Sequence, residues 1–269
     1  MKKLGIIGLG NMGYALLAGI YNAGLSKEFE IKVYDLDKEK LKKAIDMKAK
    51  ISEDMRDLID FSDYVVLAIK PIDVEEFLKQ EKLSLDKDEK TFITIAAGLT
   101  VKFYRKYLSK VKIARVMPNT PFLTGYGVSG VYFDGNFKEE EKEDVINIFK
   151  SGGIVEVFAK EKELDIVTGL SGSGPAFVFS FINSLADGAV YAGMPRDKAR
   201  RLATMTVLGA AMLLEKENIH PEELKDRVTS PGGTTAAGLL ALEEGAFRST
   251  VMKAVIKATE RAREIGEKQ

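Results

Sequence analysis

The 269-residue sequence has no cysteine and a single histidine, His220. Without cysteine there is no disulfide framework, no thiolate metal site and no cysteine nucleophile. One histidine rules out a His-rich metal centre, and any Ser-His-Asp triad would have to use His220. An excess of charge of either sign is also lacking: 40 Lys and Arg balance 40 Asp and Glu. A general nucleic-acid binder would carry a basic excess, so none is expected as a partner. Hydrophobic residues make up 45% and charged residues 30%, the balance of a globular chain and not of a disordered one.

A leader and a membrane span are both weighed against composition. The uncharged stretch 4–26 follows Lys2 and Lys3 and mimics a signal peptide. Its glycines (Gly5, Gly8, Gly10, Gly13, Gly19, Gly24) and Asn11 are wrong for a leucine-rich core. The uncharged run 167–186 holds four serines, three glycines, Asn183 and Pro175, too polar for a lipid-exposed span. A cytoplasmic location with no membrane partner is expected.

Short continuous apolar runs at residues 3–9, 31–34, 64–69, 91–96 and 113–117 read as strands buried on both faces of a parallel sheet. Charged amphipathic stretches between them, such as 37–48 and 74–83, read as helices. The alternation predicts an α/β fold with a Rossmann-type, doubly wound, mostly parallel sheet. Further strands are expected at 127–133 and 154–158, with a helix over 138–150. Beyond residue 160 the strand signal fades, and helices are expected at 175–192, 196–216, 221–228, 235–244 and 247–267. The division expected is 1–160 for a dinucleotide-binding domain and 161–269 for an all-helical C-terminal domain. The 175–192 helix would span about 27 Å. Phe177, Val178, Phe179, Phe181, Ile182, Leu185, Ala189 and Val190 leave it almost no polar face. Such a helix needs burial on most sides, and a partner subunit would complete it. At least a dimer is therefore expected, although a bundle within one chain could also enclose it.

Gly8-Leu9-Gly10-Asn11-Met12-Gly13 fits G-x-G-x-x-G between a strand and a helix. Gly8 permits the tight turn, Gly10 lets the backbone approach a pyrophosphate, and Gly13 lets helix pack on strand. Asn11 and Met12 open the helix, whose N-terminus offers N–H groups and the positive end of its dipole to phosphates. Asp35 ends the second strand. An acid there accepts hydrogen bonds from the adenosine ribose and repels a 2′-phosphate, a mild argument for NADH over NADPH. Asp35 could instead cap the following helix, and Lys38 and Lys40 soften the preference.

Val228-Thr229-Ser230-Pro231-Gly232-Gly233-Thr234-Thr235 has paired glycines for close backbone approach and hydroxyls at a helix start. Free N–H groups there can bind a carboxylate. Ser171-Gly172-Ser173-Gly174-Pro175 opens the long apolar helix and reads equally as a linker with a cap or as a place of close approach. Ala68-Ile69-Lys70-Pro71, Ala96-Ala97-Gly98 and Val116-Met117-Pro118-Asn119-Thr120-Pro121 follow strands at the carboxyl edge, where open α/β sheets bind ligands.

On the segments 8–13, 68–71, 116–121, 171–175 and 228–238, the chain resembles the pyrroline-5-carboxylate reductases nearly end to end. The resemblance implies a Rossmann-type domain, a helical dimerisation domain, and reduction of 1-pyrroline-5-carboxylate to L-proline by NADPH or NADH. It implies dimers, or decamers built from dimers. It implies that Ser230, Gly232, Gly233, Thr234 and Thr235 hold the substrate, with the Thr235 hydroxyl near the ring nitrogen as the catalytic contact. Lys70, Pro71, Ala97, Asn119 and Pro175, with Ala68 beside them, would lie near the cofactor. Many NADPH-using members carry Asn, Ser or Arg-type residues where this chain has Asp35. No metal is expected, and His220 is expected to start a surface helix.

Two rivals differ in testable ways. A 3-hydroxyacid dehydrogenase of the 6-phosphogluconate or hydroxyisobutyrate type would carry a lysine on the first long helix of the second domain. Here that helix has none before Lys198. A non-catalytic NAD(P) sensor would bind dinucleotide and turn over nothing, and would not need the hydroxyl-rich loop.

Overall fold

The computed structural model describes residues 1–87 and 89–267. Within these residues lie eight strands in one sheet, in the order β3-β2-β1-β4-β5-β6-β7-β8. The strands are β1 Lys2–Ile7, β2 Phe29–Tyr34, β3 Lys50–Ile51, β4 Tyr64–Leu67, β5 Thr91–Thr94, β6 Lys112–Met117, β7 Gly127–Asp134 and β8 Gly153–Val157. All neighbours run parallel except β6 and β7, which are antiparallel. The helices of this part are α1 Asn11–Asn22, α2 Lys38–Asp46, α3 Met55–Phe61, α4 Pro71–Leu85, α5 Val101–Arg105, α6 Glu139–Lys150 and α7 Glu163–Val167.

The continuous apolar runs have a two-sided cause. On β1, Leu4 and Ile6 pack with Leu16, Ile20, Val145 and Ile148 of α1 and α6. Ile7 joins Leu58, Ile59, Val74 and Phe77 of α3 and α4 on the other face. Consecutive side chains thus enter different cores, and neither face leaves room for polar alternation. Several short elements escape the sequence reading, among them β3, only two residues long, and α5, whose start Thr100 caps through its Oγ1.

By packing, Met1–Ser173, together with the stretch that begins at Lys257, forms one compact unit, and Gly174–Ile256 forms a second. The sequence reading drew its line at residue 161. Residues 161–173 lie with the sheet because Leu164 and Val167 of α7 cover Gly130 of β7; a Cβ at Gly130 would meet them at 3.0 Å. The second unit holds α8 Gly174–Tyr191, α9 Arg196–Glu217, α10 Pro221–Arg227, α11 Thr234–Glu244 and the first part of α12 Phe247–Glu267. Its own core is small: Ala186, Ala199 and Ala203, with Ile182, Ala189, Val190 and Met194 beside them. Ala186 is the one buried residue of α8 among those described, and Phe179 is 64% exposed. Met205, Met212, Leu240 and Met252 are also exposed. The helical run Glu163–Tyr191 reaches the length and hydropathy of a membrane span by composition alone.

One carboxylate pins a loop of the first unit. Asp86 accepts from the backbone N–H of Ser109, Lys110 and Val111 and from the Ser109 hydroxyl, at 2.6–3.0 Å. Burial pushes its carboxyl up, but these four donors outweigh burial and hold it below the ordinary carboxylate value. A pKa lowered on folding adds stability above the unfolded value and loses it as pH falls through the folded one. Asp86→Asn is therefore expected to lower Tm at pH 7 by several degrees, on the order of 1–2 kcal/mol for charge-assisted bonds. The gap to wild type should close in thermal melts as the pH falls below about 4. A gap that is constant with pH would remove the role given to the charge.

Candidate active site

The glycine turn is built by steric necessity at two positions. Gly8 has φ +95°, and a Cβ there would sit 2.6 Å from the Ala68 carbonyl oxygen. Gly13 has no room either, since a Cβ would meet the Gly8 oxygen at 1.9 Å. These contacts seat α1 on the ends of β1 and β4. Gly10 differs. It has an ordinary φ of −64°, and nothing lies within 4 Å of where its Cβ would be. It is the N-cap of α1, and no side chain caps the helix. The N–H groups of Asn11, Met12 and Gly13 thus begin a helix beside an open cradle, the arrangement that takes a pyrophosphate. The residues fit a dinucleotide.

Asp35 stands at the end of β2 with its side chain 9% exposed. One carboxylate oxygen accepts from the Leu9 N–H at 2.6 Å and the other from the Asp37 N–H at 2.8 Å. Lys40 lies 3.5 Å away. The helix-cap reading of Asp35 is corrected: Asp37 is the N-cap of α2 and accepts from Glu39 N–H. Asp35 ties the glycine turn to the position that follows β2.

Other strand-end residues gather at the same carboxyl edge. Ala68 touches the glycine turn, as described. Lys70 is the exposed N-cap of α4 and has no side-chain cap; Pro71 takes the first helical position, where a missing N–H costs nothing. Ala97 is exposed after β5. Asn119, after β6, is 7% exposed and engaged at both ends of its amide. Its Oδ1 accepts from Val128 N–H at 2.8 Å, and its Nδ2 donates to the Ser171 carbonyl at 3.0 Å. Ser171 belongs to a π-helical turn, Thr168–Gly172, which the sequence reading missed. The available signal was Pro175, which cannot donate to a carbonyl four residues back.

In the second unit, Ser230-Pro231-Gly232-Gly233 forms a tight turn, with Gly233 N–H donating to the Ser230 carbonyl at 3.0 Å. Gly232 has φ +68° after a proline, the pattern of a type II turn. Gly233 is the N-cap of α11, and a Cβ on it would meet the Ser230 hydroxyl at 2.3 Å. Thr234 and Thr235 are the first two helical residues, and again no side chain caps the helix. By contrast, His220 caps α10 by accepting from Glu222 N–H. It is a helix-start residue, as expected. The described residues contain no group of three His, Cys, Asp or Glu side chains suited to a metal.

The sheet order, the glycine turn and the uncapped α1 define a Rossmann-type dinucleotide-binding protein. Residues 161–265 match the family described as pyrroline-5-carboxylate reductase dimerisation, and residues 3–98 match the family of NADP oxidoreductase, coenzyme F420-dependent. A pyrroline-5-carboxylate reductase of Methanosarcina acetivorans is 41% identical over 272 aligned residues, covering 99% of both chains. A Plasmodium falciparum pyrroline carboxylate reductase with NADP bound superposes with a TM-score of 0.86 at 36% identity, covering 98% of each chain. A Coxiella burnetii pyrroline-5-carboxylate reductase superposes with a TM-score of 0.92 at 31% identity, covering 97% of each. The chain belongs to the pyrroline-5-carboxylate reductase family. The apolar surface exposed on α8, α9, α11 and α12 lies within the part that matches the dimerisation family.

Proposed function

We infer that the chain reduces 1-pyrroline-5-carboxylate to L-proline with NAD(P)H. The observation that carries this is likeness over 99% of the chain to a reductase of that name, which takes in both the glycine turn and the 230–235 loop. Bound NAD(P)H supplies the hydride for the imine carbon. The protein's part is binding and orientation. The α1 N-terminus and Gly10 take the pyrophosphate, Asp35 faces the adenosine ribose, and Ala68, Lys70, Pro71 and Ala97 surround the remaining dinucleotide. Ser230, Gly232, Gly233 and the N–H groups of Thr234 and Thr235 hold the substrate carboxylate, and the Thr235 hydroxyl orients the ring nitrogen. A ketone needs an acid to protonate the developing alkoxide. A cyclic imine enters already protonated or takes its proton from water, so a site with no cysteine and no histidine among its residues suffices.

The same reading makes the chain a cytoplasmic homodimer joined through its helical unit, with dimers able to assemble further into a decamer. The supporting observation is α8, which packs on α9 along one stripe while Val178, Phe179 and Leu185 stay exposed.

The test is oxidation of NADH and NADPH, each titrated separately with 1-pyrroline-5-carboxylate and followed by absorbance. Turnover with either supports imine reduction. No turnover, in protein that binds dinucleotide, would sink it and favour the sensor. A second expectation concerns the cofactor. Asp35 places negative charge where a 2′-phosphate would lie, so kcat/KM is expected to favour NADH. Asp35→Ser should shift the NADH-to-NADPH ratio at least about tenfold toward NADPH, about 1.4 kcal/mol. An unchanged ratio would mean that Lys40 already neutralises the carboxylate.

A further inference from the structure

Pro175 lies four residues after Ser171. A regular α-helix running through this stretch would give the Ser171 carbonyl the N–H of residue 175. Proline has no N–H, and its ring crowds the carbonyl four residues before it. The chain answers with the π-turn Thr168–Gly172, in which Ser173 N–H reaches back to the Thr168 carbonyl at 2.9 Å. The Ser171 carbonyl receives the Asn119 side-chain amide instead, at 3.0 Å. The same amide accepts from Val128 N–H, so it is fixed at both ends and buried. The Ser171 hydroxyl donates to the Val167 carbonyl, and the Met117 methyl lies 3.2 Å from where a Gly172 Cβ would be. A long-range bond across 52 residues thus joins the loop after β6 to the turn that leads into Pro175.

We propose that Asn119 is a positioning residue: its amide takes the place of the N–H that Pro175 lacks and fixes the π-turn 168–172, so that the 171–175 loop is held in one conformation for imine reduction. This rests on the reductase reading for the part the loop plays. The amide is spent on Val128 and Ser171, so Asn119 acts through the loop and not by gripping the dinucleotide. π-turns inside helices recur at functional sites, and a small misplacement of a group that orients reactants costs up to about 100-fold in rate.

The test uses Asn119→Asp, which keeps the acceptor for Val128 N–H and replaces the donor to Ser171 with an oxygen. Expected is a fall of about 10- to 100-fold in kcat/KM for 1-pyrroline-5-carboxylate, with the dissociation constant for NAD(P)H changed by less than about twofold. Kinetics like those of wild type would overturn the proposal. So would a dinucleotide dissociation constant that rises in step with the loss, because Asn119 would then bind the cofactor directly. Pro175→Ala supplies an N–H at residue 175, so the further loss caused by Asn119→Asp should be smaller in that background; an equal loss in both backgrounds is contrary to the pairing. Amide hydrogen exchange over residues 167–175 reads the latch without any substrate. It should quicken in Asn119→Asp while α1 and α4 keep their protection, and unchanged exchange refutes the latch. Wild-type protein that turns over no imine defeats the reductase reading and leaves the exchange result to decide the latch.

Discussion

Gly10→Ala is expected to leave the fold intact and to weaken dinucleotide binding at least about tenfold, about 1.4 kcal/mol. The backbone at Gly10 has φ −64°, which alanine adopts freely, and the added methyl meets no protein atom within 4 Å. Its cost falls on a ligand. The methyl projects into the open cradle at the start of α1, where a pyrophosphate must approach the backbone closely to take the helix N–H groups. Gly13→Ala should behave in the opposite way. Its methyl would sit 1.9 Å from the Gly8 oxygen, so α1 must move off the strand ends. Overpacking of this kind costs about 1–3 kcal/mol and lowers Tm. Thermal melts and a dinucleotide titration on both variants separate the two roles. Wild-type affinity in Gly10→Ala would mean that no phosphate lies against this turn.

The contrast between Gly10 and Gly13 also marks how far the sequence could be read. Both glycines are identified by the spacing of one short motif, because strand, turn and helix are contiguous there and the geometry is local. The parallel strands are legible for a similar reason: Leu4, Ile6 and Ile7 are all apolar because the two faces of the sheet are both covered. β3 is not legible, since Lys50 and Ile51 make no pattern and pair only because β2 is beside them. Asp35 is open to two readings in the sequence, and the structure removes one of them, because Asp37 and not Asp35 caps α2. Asn119 is placed at the carboxyl edge by its position after a strand. Its engagement with Ser171, 52 residues away, is a product of the fold. The apolar character of α8 was plain in its composition, and Val178, Phe179 and Leu185 stay exposed although Ala186 packs against α9.

Thr235→Val is expected to lower kcat for 1-pyrroline-5-carboxylate by about 100-fold or more, the scale for losing one preorganised hydrogen-bonding group at a reacting centre. Valine keeps the β-branch and volume of threonine, and Thr235 is the second residue of α11, where its backbone N–H has no partner within the helix. The helix start and the turn that precedes it should therefore survive, along with the affinity for NAD(P)H, which is bound by the first unit in this reading. Thr235→Ser restores the hydroxyl and should recover most of the rate. The split matters because two groups at residue 235 could serve the substrate: the N–H toward its carboxylate and the hydroxyl toward its ring nitrogen. A variant that loses kcat but keeps KM assigns the hydroxyl to the transition state. One that raises KM at constant kcat assigns it to ground-state binding alone. If Thr235→Val matches wild type in both constants, the backbone of the 230–235 loop is sufficient, and the role given to Thr235 is wrong.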